Sequence, residues 1–189
     1  HLAARVAIRS SFDFAIEDTR TNVVGTAAVV RAAHLTGTVE RIVAASSMAV
    51  YADCQVPAPI GEDYQTCPLS PYGISKLALE QLVHRMCAAS GMTSAVLRLF
   101  NTYGIGQALS PYVGVVTIFA DRLRQGLRPQ IFGDGEQRRD FVHVDDVVQA
   151  FVLSLEAQEL SGTTFNVGTG TATSINELFE LVRLALGSS

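Results

Sequence analysis

The hydrophobic positions of the chain fall into short apolar runs that alternate with longer helical patterns. The short runs predict strands at residues 41–47, 94–100, 130–132, 141–144 and 164–167. The helical patterns predict helices at residues 12–35, 72–90, 113–125 and 145–156, and a last helix from residue 174 onward. Strands that alternate with helices in this way are typical of an α/β fold with a mainly parallel sheet.

Polar residues and glycines mark the ends of several predicted elements. Gly37 follows the first helix and Gly91 the second, and glycine is a common stop signal. Asp145 can cap the helix that runs to residue 156. Ser174 caps the last helix, and Glu177 three residues later completes a capping box. The turn-rich stretches 52–71 and 101–112 are predicted to be long loops.

Composition and charge exclude several classes of protein. The chain has 189 residues, of which 48% are hydrophobic and 17% charged, so it has the material for a packed core and is not disordered. Its net charge is −4 and it has no basic stripe, which argues against a nucleic-acid partner. No stretch has the pattern of a membrane span or a signal peptide, so we expect no membrane partner.

The cysteines and histidines predict neither a disulfide framework nor a metal site. Cys54, Cys67 and Cys87 are odd in number and lack C-x-x-C spacing, so we interpret them as the reduced thiols of a cytoplasmic protein. The four histidines occur at no spacing that is typical of metal ligands.

Candidate chemistry comes from three features in chain order. The strand at 41–47 ends in Ser46 and Ser47, a Pro-rich loop leads to Tyr72 and Lys76, and the next strand leads to Asn101. Tyr72 and Lys76 are four residues apart and share one helix face. Y-x-x-x-K alone is weak evidence, but strand ends are where parallel α/β sheets bind ligands. We expect the Lys76 ammonium to lower the pKa of Tyr72, so that its phenolate can form and take a proton from a substrate hydroxyl.

Four segments together resemble one protein family, and they occur in the family's order. They are residues 46–51 (SSMAVY), 70–76 (SPYGISK), 98–104 (RLFNTYG) and 138–146 (RRDFVHVDD). The chain resembles the extended short-chain dehydrogenase/reductase superfamily over essentially its whole length. The branch it resembles most is the NAD-dependent nucleotide-sugar epimerase/dehydratase family, and especially the UDP-hexose 4-epimerases.

The resemblance implies a role for individual residues. Tyr72 would be the catalytic base and acid, Lys76 would bind the nicotinamide ribose and tune Tyr72, and Ser47 would be the catalytic hydroxyl that also contacts substrate. Asn101 and Arg139 would bind the nucleotide sugar, with Arg139 on the diphosphate; a salt bridge from Arg139 to a neighbouring carboxylate is the alternative. The cofactor-binding set would be Ala3, Ala4, Asn22, Ala45, Ser46, Tyr72 and Lys76.

One local detail separates branches of the family. Dehydratases carry Asp-Glu directly after the hydroxyl residue and decarboxylases usually a Glu, whereas this chain has Met48-Ala49, which transfers no protons. The resemblance therefore implies epimerisation at C4, in which hydride moves from the sugar to bound NAD and returns to the other face. Ala52, Val6 and Leu99 depart from the family's usual residues and leave the exact sugar open.

The resemblance also implies a Rossmann-like doubly wound parallel sheet, present in part, with part of a smaller substrate-binding lobe. Residues 1–110 would be the later part of the NAD-binding domain with the catalytic residues, and 111–189 a partial substrate lobe with a late Rossmann strand and helices. The Gly-rich turn and the ribose-binding acid of such a domain are absent upstream of Ser46. We therefore expect His1 to open at the end of a strand in a chain that is truncated at both ends.

Several points stay open on the sequence. The cofactor is expected to be NAD, with NADP as an alternative, because the residue that decides between them lies outside the sequence. Helices 12–35 and 72–90 would pair in a homodimer. Gly168-Thr169-Gly170 is interpreted as a late strand-to-helix turn and not as a phosphate loop. The alternatives to a 4-epimerase are a related NAD(P)-dependent reductase or another epimerase, and a non-catalytic fragment that holds no cofactor.

Overall fold

The structure, a computed structural model, describes residues 1–6, 8–53, 59–107, 109 and 114–187. Its α-helices in chain order are α1 (Ala15–Asp18), α2 (Gly25–Thr36), α3 (Pro71–Ala89), α4 (Val115–Arg124), α5 (Val144–Glu156) and α6 (Ile175–Ala185). Its strands are β1 (Arg41–Ser47), β2 (Thr93–Leu99), β3 (Asn101–Tyr103), β4 (Arg138–Arg139), β5 (Phe141–His143), β6 (Thr163–Val167) and β7 (Thr173–Ser174). The residues group into two compact units, His1–Leu99 with Val148–Val167, and Phe100–Val147 with Gly168–Ser189.

A three-stranded parallel sheet in the order β1-β2-β6 forms the centre of the first unit. The middle residues of β1 and β2 are buried, as expected for strands that are covered on both faces. Helices α2 and α3 pack on this sheet around one apolar cluster, which contains Val30, Ile42, Ala44, Leu79, Val83, Cys87, Met92 and Val96. The mixed α/β fold and parallel sheet expected from the sequence are therefore confirmed.

The first residues of the chain lie along β1. The backbone nitrogen of His1 donates to the Val43 carbonyl at 2.7 Å, and the His1 carbonyl accepts from the Ala45 N–H at 3.1 Å. Residues 1–6 belong to no assigned strand. The two hydrogen bonds nevertheless place Ala3 and Ala4 just beyond a short backbone pairing with the edge strand.

The second unit combines short strand pairs with two packed helices. β3 pairs with β5 in parallel, and β4 pairs with β7 in antiparallel. Helices α4 and α6 pack around Phe119, Ile175 and Leu178. The capping box that the sequence predicts is present, because Ser174 accepts from the Glu177 N–H while the Glu177 carboxylate accepts from the Ser174 N–H.

The first predicted helix is less regular than its pattern suggests. The chain makes a 3₁₀ turn at Ser10–Phe12, begins α1 at Ala15, and continues through a π-helical segment at Thr19–Val24 before α2. Gly37 ends α2 in the left-handed conformation with φ of 67°, which confirms the predicted stop. The π-helical segment carries the buried Asn22, and such segments are frequent at functional sites.

Three predictions about local structure in the second unit are wrong. Residues 130–132 form no strand, because Ile131 packs its side chain against the α4–α6 cluster without pairing its backbone. The stretch 101–112 begins with β3, which forms by pairing with residues 40 positions away. Helix α5 begins at Val144, so Asp145 lies in its first turn and is not its cap. The predicted helix start at 113, and residues 54–58 of the predicted loop, lie outside the described residues.

Candidate active site

Ser47, Tyr72 and Lys76 come together at the carboxyl end of β1. Ser70 caps α3 by accepting from the Gly73 N–H at 3.1 Å, and Pro71 occupies the first turn, so the helix begins immediately before Tyr72. Tyr72 and Lys76 are then one turn apart on the buried face, with the Lys76 Nζ 5.9 Å from the Tyr72 ring centroid. The half-buried Ser47 ends β1, and its hydroxyl lies near enough to the Tyr72 phenol to lower the pKa of the phenol.

The Tyr72 phenol is less acidic in this chain than the sequence suggests. Burial raises its pKa, the hydrogen bond with Ser47 lowers it, and the charge of Asp18 raises it, with a net increase above the ordinary value. We expected Lys76 to lower this pKa, and that expectation is wrong for the chain as it stands. The reason is that desolvation of a phenolate in this buried position outweighs the stabilisation that the Ser47 hydroxyl provides.

Lys76 is the only lysine of the chain and is itself buried. Its ammonium donates to the Ala45 carbonyl at 2.9 Å. Burial lowers the pKa of Lys76 to about 8, against the attraction of the Glu80 carboxylate, which raises it. An ammonium has three donors, and the bond to Ala45 leaves two of them without an acceptor among residues 1–6, 8–53, 59–107, 109 and 114–187.

The predicted cofactor residues Asn22 and Ser46 make hydrogen bonds within the protein. Asn22 accepts from the Arg5 N–H at 2.8 Å, and its amide nitrogen donates to the Arg5 carbonyl at 3.1 Å and to the Ser75 hydroxyl at 2.9 Å. Ser46 donates its hydroxyl to Glu80 at 2.5 Å. Asn22 therefore joins the first residues of the chain to α3 beside Tyr72, and the side chain of Ser46 joins β1 to α3.

Asn101 and Arg139 lie in the second unit, around Asp140. The backbone and side-chain nitrogens of Asn101 both donate to the Asp140 carbonyl at 3.1 Å. Arg139 is exposed, donates to the Arg138 carbonyl at 2.7 Å, and has no ion pair with a described residue. The alternative of a structural salt bridge is thus not observed in the described part of the chain.

The turn at Gly168-Thr169-Gly170 binds an internal carboxylate. The backbone N–H groups of Thr169 and Gly170 and the Thr169 hydroxyl donate to the Asp140 carboxylate at 2.7–2.9 Å. These donors are the ones that a phosphate loop would present to a ligand. Their use by Asp140 fixes the backbone of the segment that carries Arg139.

Sequence reasoning missed a buried polar network behind the Ser47–Tyr72–Lys76 cluster. Glu80 and Arg98 form an ion pair with two hydrogen bonds, and Arg98 also donates to the Tyr51 hydroxyl at 2.9 Å. Tyr51 in turn donates to Asn166 on β6 at 2.6 Å. Two signals could have revealed the network: a carboxylate four residues after Lys76, and an arginine inside an apolar strand.

One cavity in the described part of the chain is remote from this chemistry. It measures about 700 Å³ and is lined by residues at the amino ends of β1 and β2, among them Arg41 and Thr93. Ligands of parallel α/β sheets bind at the opposite, carboxyl ends of the strands, and the Arg41 guanidinium here hydrogen-bonds the last carbonyls of α5. Volume alone therefore does not identify the active site, and we favour the Ser47–Tyr72–Lys76 cluster.

Comparison with known proteins gives consistent matches. The sequence profile of the NAD dependent epimerase/dehydratase family matches residues 1–168. A UDP-glucose 4-epimerase of Mycolicibacterium smegmatis is 38% identical over 189 residues, which are all of this chain and 59% of the relative. The chain thus spans about 60% of the length of such relatives.

Solved structures agree with the sequence matches. The UDP-glucose 4-epimerase of Thermotoga maritima with UDP-glucose matches all of this chain and 60% of its own length, with a TM-score of 0.94 and 34% identity. The Thermus thermophilus UDP-glucose 4-epimerase complex with NAD matches 99% of this chain and 61% of its own, with a TM-score of 0.90 and 31% identity.

Proposed function

Because the chain belongs to the NAD dependent epimerase/dehydratase family, we propose that its residues form the catalytic part of a nucleotide-sugar 4-epimerase. The observation that carries the proposal is the cluster of Ser47, Tyr72 and Lys76 at the carboxyl end of β1. A hydroxyl, a phenol and an ammonium in this order can hold a sugar hydroxyl, move its proton and bind a ribose. The relatives named above support the same activity.

The residues fit the nicotinamide-ribose end of NAD. The Lys76 ammonium keeps two donors beyond its bond to Ala45, and a ribose presents two adjacent hydroxyl acceptors. NAD, when bound, supplies the hydride acceptor and donor of the reaction. Ala3, Ala4, Ala45 and the backbone of Ser46 are proposed to line the cofactor, and Asn22 to hold the wall beside it.

Proton transfer in the proposal belongs to Tyr72. Its phenolate would take the proton of the sugar 4-hydroxyl and return it later, while Ser47 hydrogen-bonds the same oxygen. Since the pKa of Tyr72 is raised in this chain by burial, bound positive charge has to favour the phenolate before it can act as a base near neutral pH. Lys76, which shares a helix face with Tyr72, is the chain's own source of such charge.

The residues after Ser47 favour epimerisation over water loss. Met48, Ala49 and Val50 form a single 3₁₀ turn, and Ser47 caps that turn by accepting from the Ala49 N–H. None of these three side chains can donate or accept a proton. Abstraction of a second proton from the sugar therefore has no side-chain base at this position.

The proposed substrate is a UDP-hexose, with Arg139 on its diphosphate and Asn101 on the sugar nucleotide. We also propose that the boundary between the NAD-binding part and the substrate-binding lobe lies near residue 110.

Helices 12–35 and 72–90 are proposed to form a homodimer, since they expose the apolar side chains of Ile16, Val24, Val29 and Ile74. None of the helices in the described stretches has the length and apolar character to cross a bilayer. On the odd number and the spacing of the cysteines, we propose a cytoplasmic location.

The test is to add NAD and UDP-galactose or UDP-glucose to the protein that carries this sequence. Proton NMR of the sugar nucleotides then shows whether one is converted into the other. We expect Tyr72→Phe to lower the turnover by about 100-fold or more, because a positioned general base contributes about that factor. Tyr64→Phe removes a phenol hydroxyl away from the cluster and should leave turnover unchanged. Protein that binds NAD but leaves both sugars unconverted, or a Tyr72→Phe variant that turns over normally, would refute the proposal.

A further inference from the structure

The Glu80 carboxylate is buried and connects three elements of the first unit. It follows Lys76 by one turn of α3, and only 2% of the residue is exposed. Arg98 on β2 donates Nε to Oε1 at 3.0 Å and Nη2 to Oε2 at 2.8 Å. Ser46 on β1 donates to the same Oε1 at 2.5 Å. One carboxylate thus fixes the end of β1 to the face of α3 that carries Tyr72 and Lys76.

Stability alone is a weak reason for this arrangement. A buried ion pair loses as much by desolvation as it gains by attraction, and apolar replacements of both partners are often neutral or stabilising. Burial opposes the charge of Arg98, but its hydrogen bonds to Glu80 and Tyr51 outweigh burial and raise its pKa. The guanidinium of Arg98 therefore keeps its charge, and the Glu80 carboxylate that it holds raises the pKa of the neighbouring Lys76 on α3.

Lys76 is the neighbour whose buried positive charge a nearby carboxylate would stabilise. Its ammonium is buried against a backbone carbonyl, and burial lowers its pKa to about 8 while Glu80 raises it. Glu80 is the charged group that acts on the Lys76 ammonium, and Tyr72 lies beside it on the same helix. Arg98 on β2 and His84 on α3 interact with Glu80, and Asp18 on α1 acts on Tyr72. Asp18 is paired with Arg5 at 3.0 Å, and β1 presents the Ala45 carbonyl to the Lys76 ammonium.

We propose that Glu80, held by Arg98, is a positioning residue for the Ser47–Tyr72–Lys76 cluster: it keeps Lys76 charged and, through Ser46, holds the end of β1 where Ala45 and Ser47 act. The inference rests on the proposed function for its consequence in catalysis. Without the carboxylate, Lys76 would become neutral near physiological pH, and it would lose both its attraction for a phenolate and one of its donors. Glu80 itself touches no reacting atom.

The single lysine gives a direct test in the 189-residue chain. Lysine labelled with ¹³C at Cε yields one side-chain signal, and its chemical shift against pH reports the pKa of Lys76. We expect Glu80→Gln to lower that pKa by roughly one unit or more, because an opposite charge at this range has about that effect. Glu180→Gln removes an exposed carboxylate that pairs with Arg183 on α6 and should leave the titration unchanged.

Two further measurements keep the test decisive. If Glu80→Gln fails to fold, the double variant Glu80→Gln, Arg98→Met removes both buried charges and should still lower the pKa of Lys76. An unchanged or raised pKa in the folded variant overturns the proposal. In the epimerase assay, Glu80→Gln should shift the rising limb of the pH–rate profile to higher pH, because a neutral Lys76 no longer favours the Tyr72 phenolate. Glu80→Asp should restore the position of this limb in part. If the wild type does not epimerise, the proposed function fails while the Lys76 titration still decides the role of Glu80.

Discussion

Gly73 occupies a place where α3 touches the turn after β1, and this contact gives a sharp prediction. It lies in the first turn of α3, directly after Tyr72, and its N–H is bound by the Ser70 cap. A Cβ at this position would overlap the Ala49 carbonyl oxygen and lie 2.9 Å from the Pro68 Cβ. Both obstacles lie close to the backbone, so neither moves as a flexible side chain would.

The expected effect of Gly73→Ala follows from two opposed contributions. Overpacking of this kind costs about 1–3 kcal/mol, and alanine recovers about 0.5–1 kcal/mol of helix propensity. The net loss is up to about 2.5 kcal/mol, which corresponds to a fall in Tm of up to about 10 °C for a chain of this size. The alternative is a shift of the α3 start away from Ala49, which would also move Tyr72 from Ser47.

Gly25→Ala is the matched control because it is also a helical glycine of the first unit. Its Cβ would meet only the Arg20 carbonyl oxygen, at an ordinary 3.7 Å. We expect this variant to be more stable than the wild type by up to about 1 kcal/mol. Thermal and urea unfolding followed by circular dichroism measure both variants. Equal stability of Gly73→Ala and Gly25→Ala would show that the close approach of α3 to Ala49 is not as described.

Two further predictions concern charge. Asp140→Asn should speed amide hydrogen exchange at Thr169 and Gly170 about tenfold or more, because each hydrogen bond to a charged acceptor contributes about 1.5–3 kcal/mol. Asp146→Asn, at an exposed position, is the control. Unchanged protection of the two amides in Asp140→Asn would contradict the role of the Asp140 carboxylate. The pKa of Lys76 is lowered from 10.5 to about 8 on folding, so the unfolded chain binds the proton more tightly and stability should rise between these pH values. The free energy of unfolding of the wild type minus that of Lys76→Met measures this rise, and a flat or falling difference would refute it.

Much of the first unit follows from local sequence. β1 has the predicted bounds, and α3 and β2 agree within a residue, because long apolar runs bounded by proline and glycine leave few alternatives. The errors gather where a few residues depend on distant partners. Ile131 has the character of a strand residue but packs as a side chain, and Asn101 begins a strand only because Phe141 lies beside it.

In the candidate site, too, the sequence predicts some properties and the tertiary structure decides others. The types and spacing of Ser47, Tyr72 and Lys76 are properties of the sequence, since a strand end and an i, i+4 pair are local features. Charge is different, because a pKa depends on what surrounds a group and not on its neighbours in sequence. Burial raises the pKa of Tyr72, against the sequence-based expectation, and lowers that of Lys76.

The sequence by itself therefore determined the fold class, the family and the residues that can do chemistry. Only the tertiary structure decided how they are held: Glu80 bound between Arg98 and Ser46, and Asp140 bound by the turn after β6. The physical reason is that these contacts join residues 18 to 34 positions apart along the chain. Their energies depend on burial, which a linear pattern of residue types does not contain.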